Sequence, residues 1–571
     1  MWPESPEAIQ ELEPSFVCGS TVTPLQYVTV DGVLKKARSL WPERRALTAR
    51  SQGCSYSFRA LDAAVERVAR GLVGCGLKPG DRLAIWSPNN VEWILTMFAA
   101  ARAGLILVNI NPAYRPLELE FALRQVGASA LVLTPSFRGT DYLGMVRALV
   151  PEVATALNGV VRSALLPQLT RLIQIGTDVP GFMSFSALEE FGDAVDAHGL
   201  ADLAADLNPD MPYNIQFTSG TTGLPKAAVL THFNIVNNGF FVGEAMQFSE
   251  MDSTCIPVPM YHCFGMVIGV LAAMTHGAAS VFPGEGFDAL ATLETVSEER
   301  CTALLGVPTM FIAELEHPRF AEFDLSSLRT GVMAGAPCPM AVMRRVVEEM
   351  QMREITICYG MTETSPVSFQ SCAADPLDKR VGSVGRIHPH LQVKIVDERG
   401  HVVPRGIRGE LCTRGYSVMK GYWGEPERTR EVLDQAGWMH TGDLAVLDGD
   451  GYCNVVGRIK DIIIRGGENI SPREIEEFLY AHPAVLDVAV VGVPSSRFGE
   501  EICACIRLKE GSQATAEHVR GFCTGRIAHY KIPKYVVFVD SFPMTVTGKV
   551  QKFLIREQMR RELGLGEQPQ A

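Results

Sequence analysis

Thr218, Ser219, Gly220, Thr221, Thr222, Gly223, Leu224, Pro225 and Lys226 follow directly on the strand-like Asn214 to Phe217. Glycines let backbone amides approach an anion closely, and the hydroxyls and Lys226 add donors and charge. The segment therefore reads as a phosphate-binding loop. It is not a Walker A loop. Counted from Gly220, that pattern needs Gly at 225 and Ser or Thr at 227, where this chain has Pro225 and Ala227. A polar Gly/Thr turn without a ligand is the alternative reading of the same residues.

Three further segments could do chemistry beside it. Tyr359-Gly-Met-Thr362-Glu363 follows the apolar Ile355 to Cys358, and so sits at a strand end, where open parallel sheets bind ligands. A carboxylate next to a hydroxyl suits a magnesium ion shared with phosphate oxygens. His440-Thr-Gly-Asp443 offers a carboxylate able to accept both hydroxyls of a ribose. Arg458 stands in Gly457-Arg-Ile-Lys460, and Pro543-Met-Thr-Val-Thr-Gly-Lys549 ends a Gly-containing turn on a lysine. Taken singly, these read as a polar loop, a turn and surface cations.

The elements that must carry these residues are legible around them. Asp81 to Trp86, Leu105 to Val108 and Leu131 to Leu133 read as strands, separated by helices over Val91 to Ala103 and Leu117 to Gln125. That alternation, with near-continuous apolar strands, predicts a parallel sheet wrapped by helices, and it recurs from about 228 to 360. After about 381 short strands between glycine-rich turns predict a small antiparallel sheet or barrel. Ser471-Pro-Arg-Glu474 is a capping box with Pro at the first helical position. It opens a compact α+β unit over about 461 to 571. The fold class is thus α/β, with doubly wound sheets and a barrel-like part in a large N-terminal domain, and a small, mobile α+β C-terminal domain.

Composition narrows the partners. The 571 residues are 47% apolar and carry a net charge of −12, enough to bury a large core and the wrong sign to attract nucleic acid. Fourteen cysteines are scattered, with Cys503-x-Cys505 the one close pair and no spacing that suggests zinc. Buried, reduced thiols are expected. The longest apolar run, Cys263 to Thr275, is too short to span a bilayer and reads as a buried helix. Glu4, Glu7, Glu11 and Glu13 precede the first basic residue, Lys35, the opposite of a targeting peptide. A soluble intracellular protein is expected, either cytoplasmic or with a leader already removed.

In this order the segments resemble the adenylate-forming superfamily of acyl-CoA synthetases, aryl-CoA ligases, adenylation domains and luciferase, over roughly residues 30 to 565. At finer grain, Phe217 to Asn238, Pro259 to Gly265, Ile462 to Ser471, Gly499 to Glu510 and Lys531 to Gln558 resemble medium-chain fatty acid–CoA ligases, which vertebrates place in mitochondria. The resemblance implies an N-terminal domain over 1–457, a hinge at 458–460 centred on Lys460, and a C-terminal domain over 461–571. It implies ATP, Mg2+ and coenzyme A. Thr218 to Lys226 would grip phosphates, Thr362 the α-phosphate and Glu363 the metal. Gly335, Ala336 and Tyr359 would frame adenine, and Asp443 and Arg458 would hold the ribose. Lys549 would reach the reacting carboxylate and phosphate. His262 would stand between the acyl and pantetheine channels, which Gly466 and Gly467 would line after the small domain turns. Ala227 departs from the glycine usual after the loop lysine, a costly change if the position needs φ > 0.

The implied reaction joins a fatty, medium-chain carboxylic acid to CoA through an acyl-adenylate, with AMP and pyrophosphate released. A carrier-loading adenylation domain would show an acidic residue near His262, which Tyr261 to Gly265 lacks. A luciferase-like oxidation uses the same adenylate and differs only in assay. An inactive acyl or AMP binder would have no need of Lys549. Chain length and oligomeric state are not written in the motifs.

Overall fold

The computed structural model describes residues 13–192, 197–218, 225–495, 497–545 and 548–565. Six of the nine residues of the anticipated phosphate loop, Ser219 to Leu224, lie outside the described residues; Thr218, Pro225 and Lys226 lie inside.

Two large sheets share one core. The first runs, in spatial order, through Met183–Ser184, Arg171–Gln174, Ala130–Leu133, Arg82–Trp86, Ile106–Asn109, Pro212–Thr218, Lys226–Thr231 and Gly421–Tyr422. Its strands are parallel as far as Pro212–Thr218, and the last two turn antiparallel. The second has nine strands and is parallel from Arg45–Ala49 to Glu354–Gly360. Alternation sorts the side chains: Leu83 and Ile85 face the shared core, while Ala84 and Trp86 face the opposite cluster. Between the sheets lie the helices Val91–Arg102 and His232–Ala245, so every residue of the first except Glu92 is buried. The apolar run after Cys263 is also a buried helix, but its first part, Phe264–Leu271, is wound in π fashion before Ala272–His276 resumes the α form. Such widened turns recur at functional sites.

The third sheet is fully antiparallel, in the order Phe16–Cys18, Leu391–Val396, Gly409–Gly415, Met439–Leu447 and Cys453–Arg458. A small C-terminal domain follows. It pairs Ile463–Arg465 with Glu468–Ile470 and Val485–Ser495 with Gly499–Leu508, against the helices Pro472–Tyr480 and Ala516–Cys523. The helix expected after Ser471 is present, but the capping box is not formed. Ser471 Oγ instead donates to the Val456 carbonyl, and Arg473 donates to that of Val455, so both tie the small domain to the last strand before it. Cys503 and Cys505 are buried on one strand face as expected, and all fourteen cysteines are free thiols. No helix among the described residues is long and apolar enough to cross a membrane.

Candidate functional site

Glu363 sits in the short turn Thr362–Thr364, just past the C-terminal end of Glu354–Gly360. Its side chain is buried, and both of its hydrogen bonds fall on Oε1: Thr218 Oγ1 donates at 3.0 Å and the Tyr422 hydroxyl at 2.9 Å. The Met419 amide donates to its carbonyl at 2.9 Å. Burial, then the Glu363 charge, holds the Tyr422 hydroxyl well above its ordinary pKa, so it stays a donor. Lys226 Nζ lies 5.0 Å from the Tyr422 ring centre. Among the described residues Glu363 has hydroxyl partners and no cationic side chain, a donor set that leaves a buried carboxylate available to a hard divalent cation.

Asp443 lies inside the strand Met439–Leu447, not in a turn as His440-Thr-Gly-Asp443 alone implied. The register is irregular here, and Gly442 takes φ 69°, a left-handed value that suits glycine. Thr441 Oγ1 donates to the Leu411 carbonyl at 2.7 Å and accepts from the Asp443 amide at 3.1 Å, which pins the bulge. The buried carboxylate then meets two donors: the Tyr359 hydroxyl at 2.6 Å and Arg458 Nε at 3.0 Å. Asp443 and Arg458 are cross-strand neighbours. Burial, then Asp443, raises the Tyr359 hydroxyl far above its usual range.

Lys549 approaches from the small domain. Its loop is closed by the Thr545 amide to the Lys549 carbonyl at 2.8 Å and by the Gly548 amide to Thr545 at 2.9 Å. Gly548 has φ 77°, and its carbonyl accepts from Thr309 Oγ1 at 3.2 Å, at the start of the large-domain helix Pro308–Leu315. A Cβ there would lie 2.8 Å from Val307 Cγ2, so the contact is built for glycine. The lysine residue keeps an open surface, yet protein crowds its ammonium from several sides, as on the wall of a cleft. Burial, then repulsion by Arg458, lowers its pKa to about 8, against the pull of Asp443 and Asp461.

The charge of the same ammonium is felt at His262. Burial, then the Lys549 charge, lowers the imidazole pKa to about 4, so it is neutral at physiological pH. The Phe264 amide donates to its Nδ1 at 3.1 Å, which leaves the proton on Nε2. A polar relay that the motifs did not reveal holds this segment. Cys263 Sγ donates to Gln216 Oε1 at 2.9 Å, Gln216 Nε2 to Asn214 at 2.8 Å, Asn214 Nδ2 to Asn109 at 2.9 Å, and Asn109 Nδ2 to the Tyr261 carbonyl at 2.9 Å. Burial raises the Cys263 thiol to about 12, with the Thr362 hydroxyl opposing, which places Thr362 against the same segment.

The remaining candidates are less closely joined. Gly335, at φ 85°, follows the strand Thr330–Met333, and the Ala336 carbonyl accepts from Cys338 Sγ at 3.5 Å. Gly466 and Gly467, at φ 60° and 89°, are the two central residues of the hairpin between Ile463–Arg465 and Glu468–Ile470. No described contact joins them to Glu363, Asp443 or Lys549. Lys460 is exposed in the short turn Ile459–Asp461. Ala227 is buried in the strand Lys226–Thr231 with no left-handed φ, so the cost considered for a glycine replacement does not arise.

Known proteins show where this chain belongs. The AMP-binding enzyme model matches residues 34–423, and the AMP-binding enzyme C-terminal domain matches 474–549. The mitochondrial medium-chain acyl-CoA ligase ACSF2 of Danio rerio is 46% identical, over 98% of this chain and 93% of its own. The putative acyl-CoA synthetase YngI of Bacillus subtilis (strain 168) is 47% identical, over 94% and 97%. Among solved structures, the anthranilate CoA ligase AuaEII in complex with anthranoyl-AMP superposes with a TM-score of 0.83 at 27% identity, over 95% of this chain and 99% of that one. ATP-bound MatB from Rhodopseudomonas palustris gives 0.77 at 28% identity, over 93% and 99%. A two-part family match across the cleft, with near-full-length acyl-CoA ligase relatives, makes this chain a member of the AMP-binding enzyme family, an adenylate-forming acid–CoA ligase.

Proposed function

We propose that the protein activates a medium-chain fatty acid, with the acid oxygen, the α-phosphate and the CoA sulfur brought together in the cleft bounded by Glu363, Asp443, His262 and Lys549. The observation that carries this reading is the position of Lys549. The charge of a small-domain lysine is coupled electrostatically to the ribose-type pair Asp443–Arg458 and to the neutral His262, all of which belong to the large-domain side. The relatives' names supply the medium-chain class.

In the first step a carboxylate oxygen bonds to the α-phosphorus while the bond to the pyrophosphate oxygen breaks. The chain's work there is positioning and charge neutralisation. Thr218, Pro225 and Lys226, with Ser219 to Leu224, hold the phosphates; Asp443 and Arg458 hold the ribose; Tyr359, Gly335 and Ala336 frame the base. Thr362 donates to the α-phosphate, and Lys549 meets the charge that grows between acid and phosphate. Glu363 would hold Mg2+, which supplies further positive charge to the phosphates when bound. In the second step the CoA sulfur bonds to the acyl carbon, the carbon–oxygen bond to AMP breaks, and the thiol proton passes to solvent. His262, with its proton on Nε2, serves as a hydrogen-bond donor to an acyl oxygen.

Residues 1–457 and 461–571 act as two bodies about a hinge at 458–460, with Lys460 at its centre, and rotation brings Gly466 and Gly467 to the cleft in place of Lys549. A mitochondrial location is carried by the vertebrate relatives' names alone, and organelle fractionation tests it. A panel of straight-chain acids of graded length, assayed for AMP release with and without CoA, tests the substrate reading. A maximum at medium length that requires CoA supports it; preference for short, aromatic or dicarboxylic acids would overturn it.

A further inference from the structure

The antiparallel third sheet carries a cluster that the nucleotide chemistry does not use. Glu410, Cys412 and His440 each offer one ligand atom, and these atoms lie within 4.8 Å of one another. His440 Nδ1 is 2.9 Å from Glu410 Oε2 and 3.5 Å from Cys412 Sγ. Cys412 and His440 are direct cross-strand partners, and Glu410 stands two residues before Cys412 on the same face. Because His440 is far from both in sequence, spacing alone hid the group.

The geometry is that of a coordination sphere. Bonds of about 2.3 Å to sulfur and about 2.05 Å to nitrogen, at a tetrahedral angle, separate the two donors by about 3.5 Å. A nitrogen–oxygen edge in the same sphere is about 3.3 Å, so Glu410 needs to retreat by only a few tenths of an ångström. Its other oxygen is already oriented, because Oε1 accepts from the Gly442 amide at 3.1 Å, the outer hold typical of metal-binding carboxylates. Cys412 is fully buried against Val396 and Trp438, which shields the sulfur on one side. Two cations flank this face: Lys394 and Arg414 sit 4.6 Å and 4.5 Å from the Trp438 ring centre, and the Lys394 charge also favours the ionised Glu410. His440 is the ion-pair partner of Glu410 among the described residues.

We propose that Glu410, Cys412 and His440 form a three-ligand site for a borderline divalent cation, zinc above all, with a fourth position open to water. Mixed sulfur, nitrogen and oxygen donors disfavour magnesium and calcium, which keeps this site chemically apart from the one at Glu363. A hydrogen-bonded ion pair without metal is the competing account, and it differs in one observable, a thiolate bonded to the metal.

Cobalt(II) added to the metal-stripped, full-length protein reads that bond. One equivalent per chain should give a thiolate-to-cobalt charge-transfer band with the strong visible bands of a tetrahedral site, and zinc should abolish both. Cys412→Ser should remove the charge-transfer band, and His440→Gln should weaken cobalt binding on the order of 10–100-fold or more. Absence of the bands at one equivalent overturns the proposal. So does a band that persists unchanged in either variant, since another cysteine would then hold the metal. If Cys412→Ser does not fold, His440→Gln, at a partly exposed position, decides the question alone.

Discussion

Asp443 and Lys549 differ in how their charges are held, and the difference sets what each substitution does. Asp443 is buried with two donors aimed at it, so Asp443→Ala strands the Tyr359 hydroxyl and leaves Arg458 without its carboxylate. Losing a charged acceptor of this kind should raise the KM for ATP about 10- to 100-fold, with about 1–3 kcal/mol lost from folding stability. Steady-state kinetics and thermal unfolding check the two parts, and Asp443→Asn should fall between. Lys549 is cationic below about pH 8 and neutral above it. The kcat/KM for ATP, which reports the free enzyme, should therefore fall as pH rises through about 8. An unperturbed lysine would place that limb near 10.4. Bound phosphates favour the ammonium, so the limb in kcat should lie at higher pH. Lys549→Arg should lose the limb from the kcat/KM profile. His262, neutral down to about pH 4, should add no acidic limb in the physiological range.

At the scale of elements, the contact that delivers Lys549 is a glycine against a helix start. Gly548→Ala would ask a non-glycine residue to hold φ 77° with its Cβ 2.8 Å from Val307. A cost of about 1–3 kcal/mol in the docked arrangement translates into roughly a 5- to 150-fold slower adenylation. Conversion of supplied acyl-adenylate to thioester should be unaffected, and comparing the two rates checks it. Much of this architecture was legible beforehand. Continuous apolar runs placed Arg82–Trp86, Val91–Arg102 and Ile106–Asn109 to within a residue or two, because those elements are buried on almost every side. The partners of the site were not legible. Tyr422 reaches Glu363 from a two-residue edge strand, and Gln216, Asn214 and Asn109 brace Tyr261 and Cys263 from neighbouring strands. Such contacts come from sheet order, which no local pattern encodes. Ser471 shows the converse: a complete capping signature whose hydroxyl the tertiary structure uses elsewhere.

At the scale of the whole molecule, Thr218, Glu363 and Asp443 stand in the large part and Lys549 in the small one, with Thr309 Oγ1 bonded to the Gly548 carbonyl between them; the proposed cleft would be complete only in such a docked arrangement. The Gly466 amide donates instead to the Phe498 carbonyl, and no described contact joins Gly466 or Gly467 to the cleft in this arrangement. In the proposed mechanism one nucleotide site serves two reactions, and these two faces would exchange between them. The most direct test is Lys549→Ala assayed in both halves: the full reaction from ATP, acid and CoA, and thioester formation from synthetic acyl-adenylate plus CoA. Removing one preorganised charge from the first transition state should slow the full reaction on the order of 10²–10³-fold. Thioester formation from the adenylate should stay near the parent rate. Equal loss in both assays, from a variant with the parent's thermal transition, would contradict domain alternation and the role of Lys549 in it.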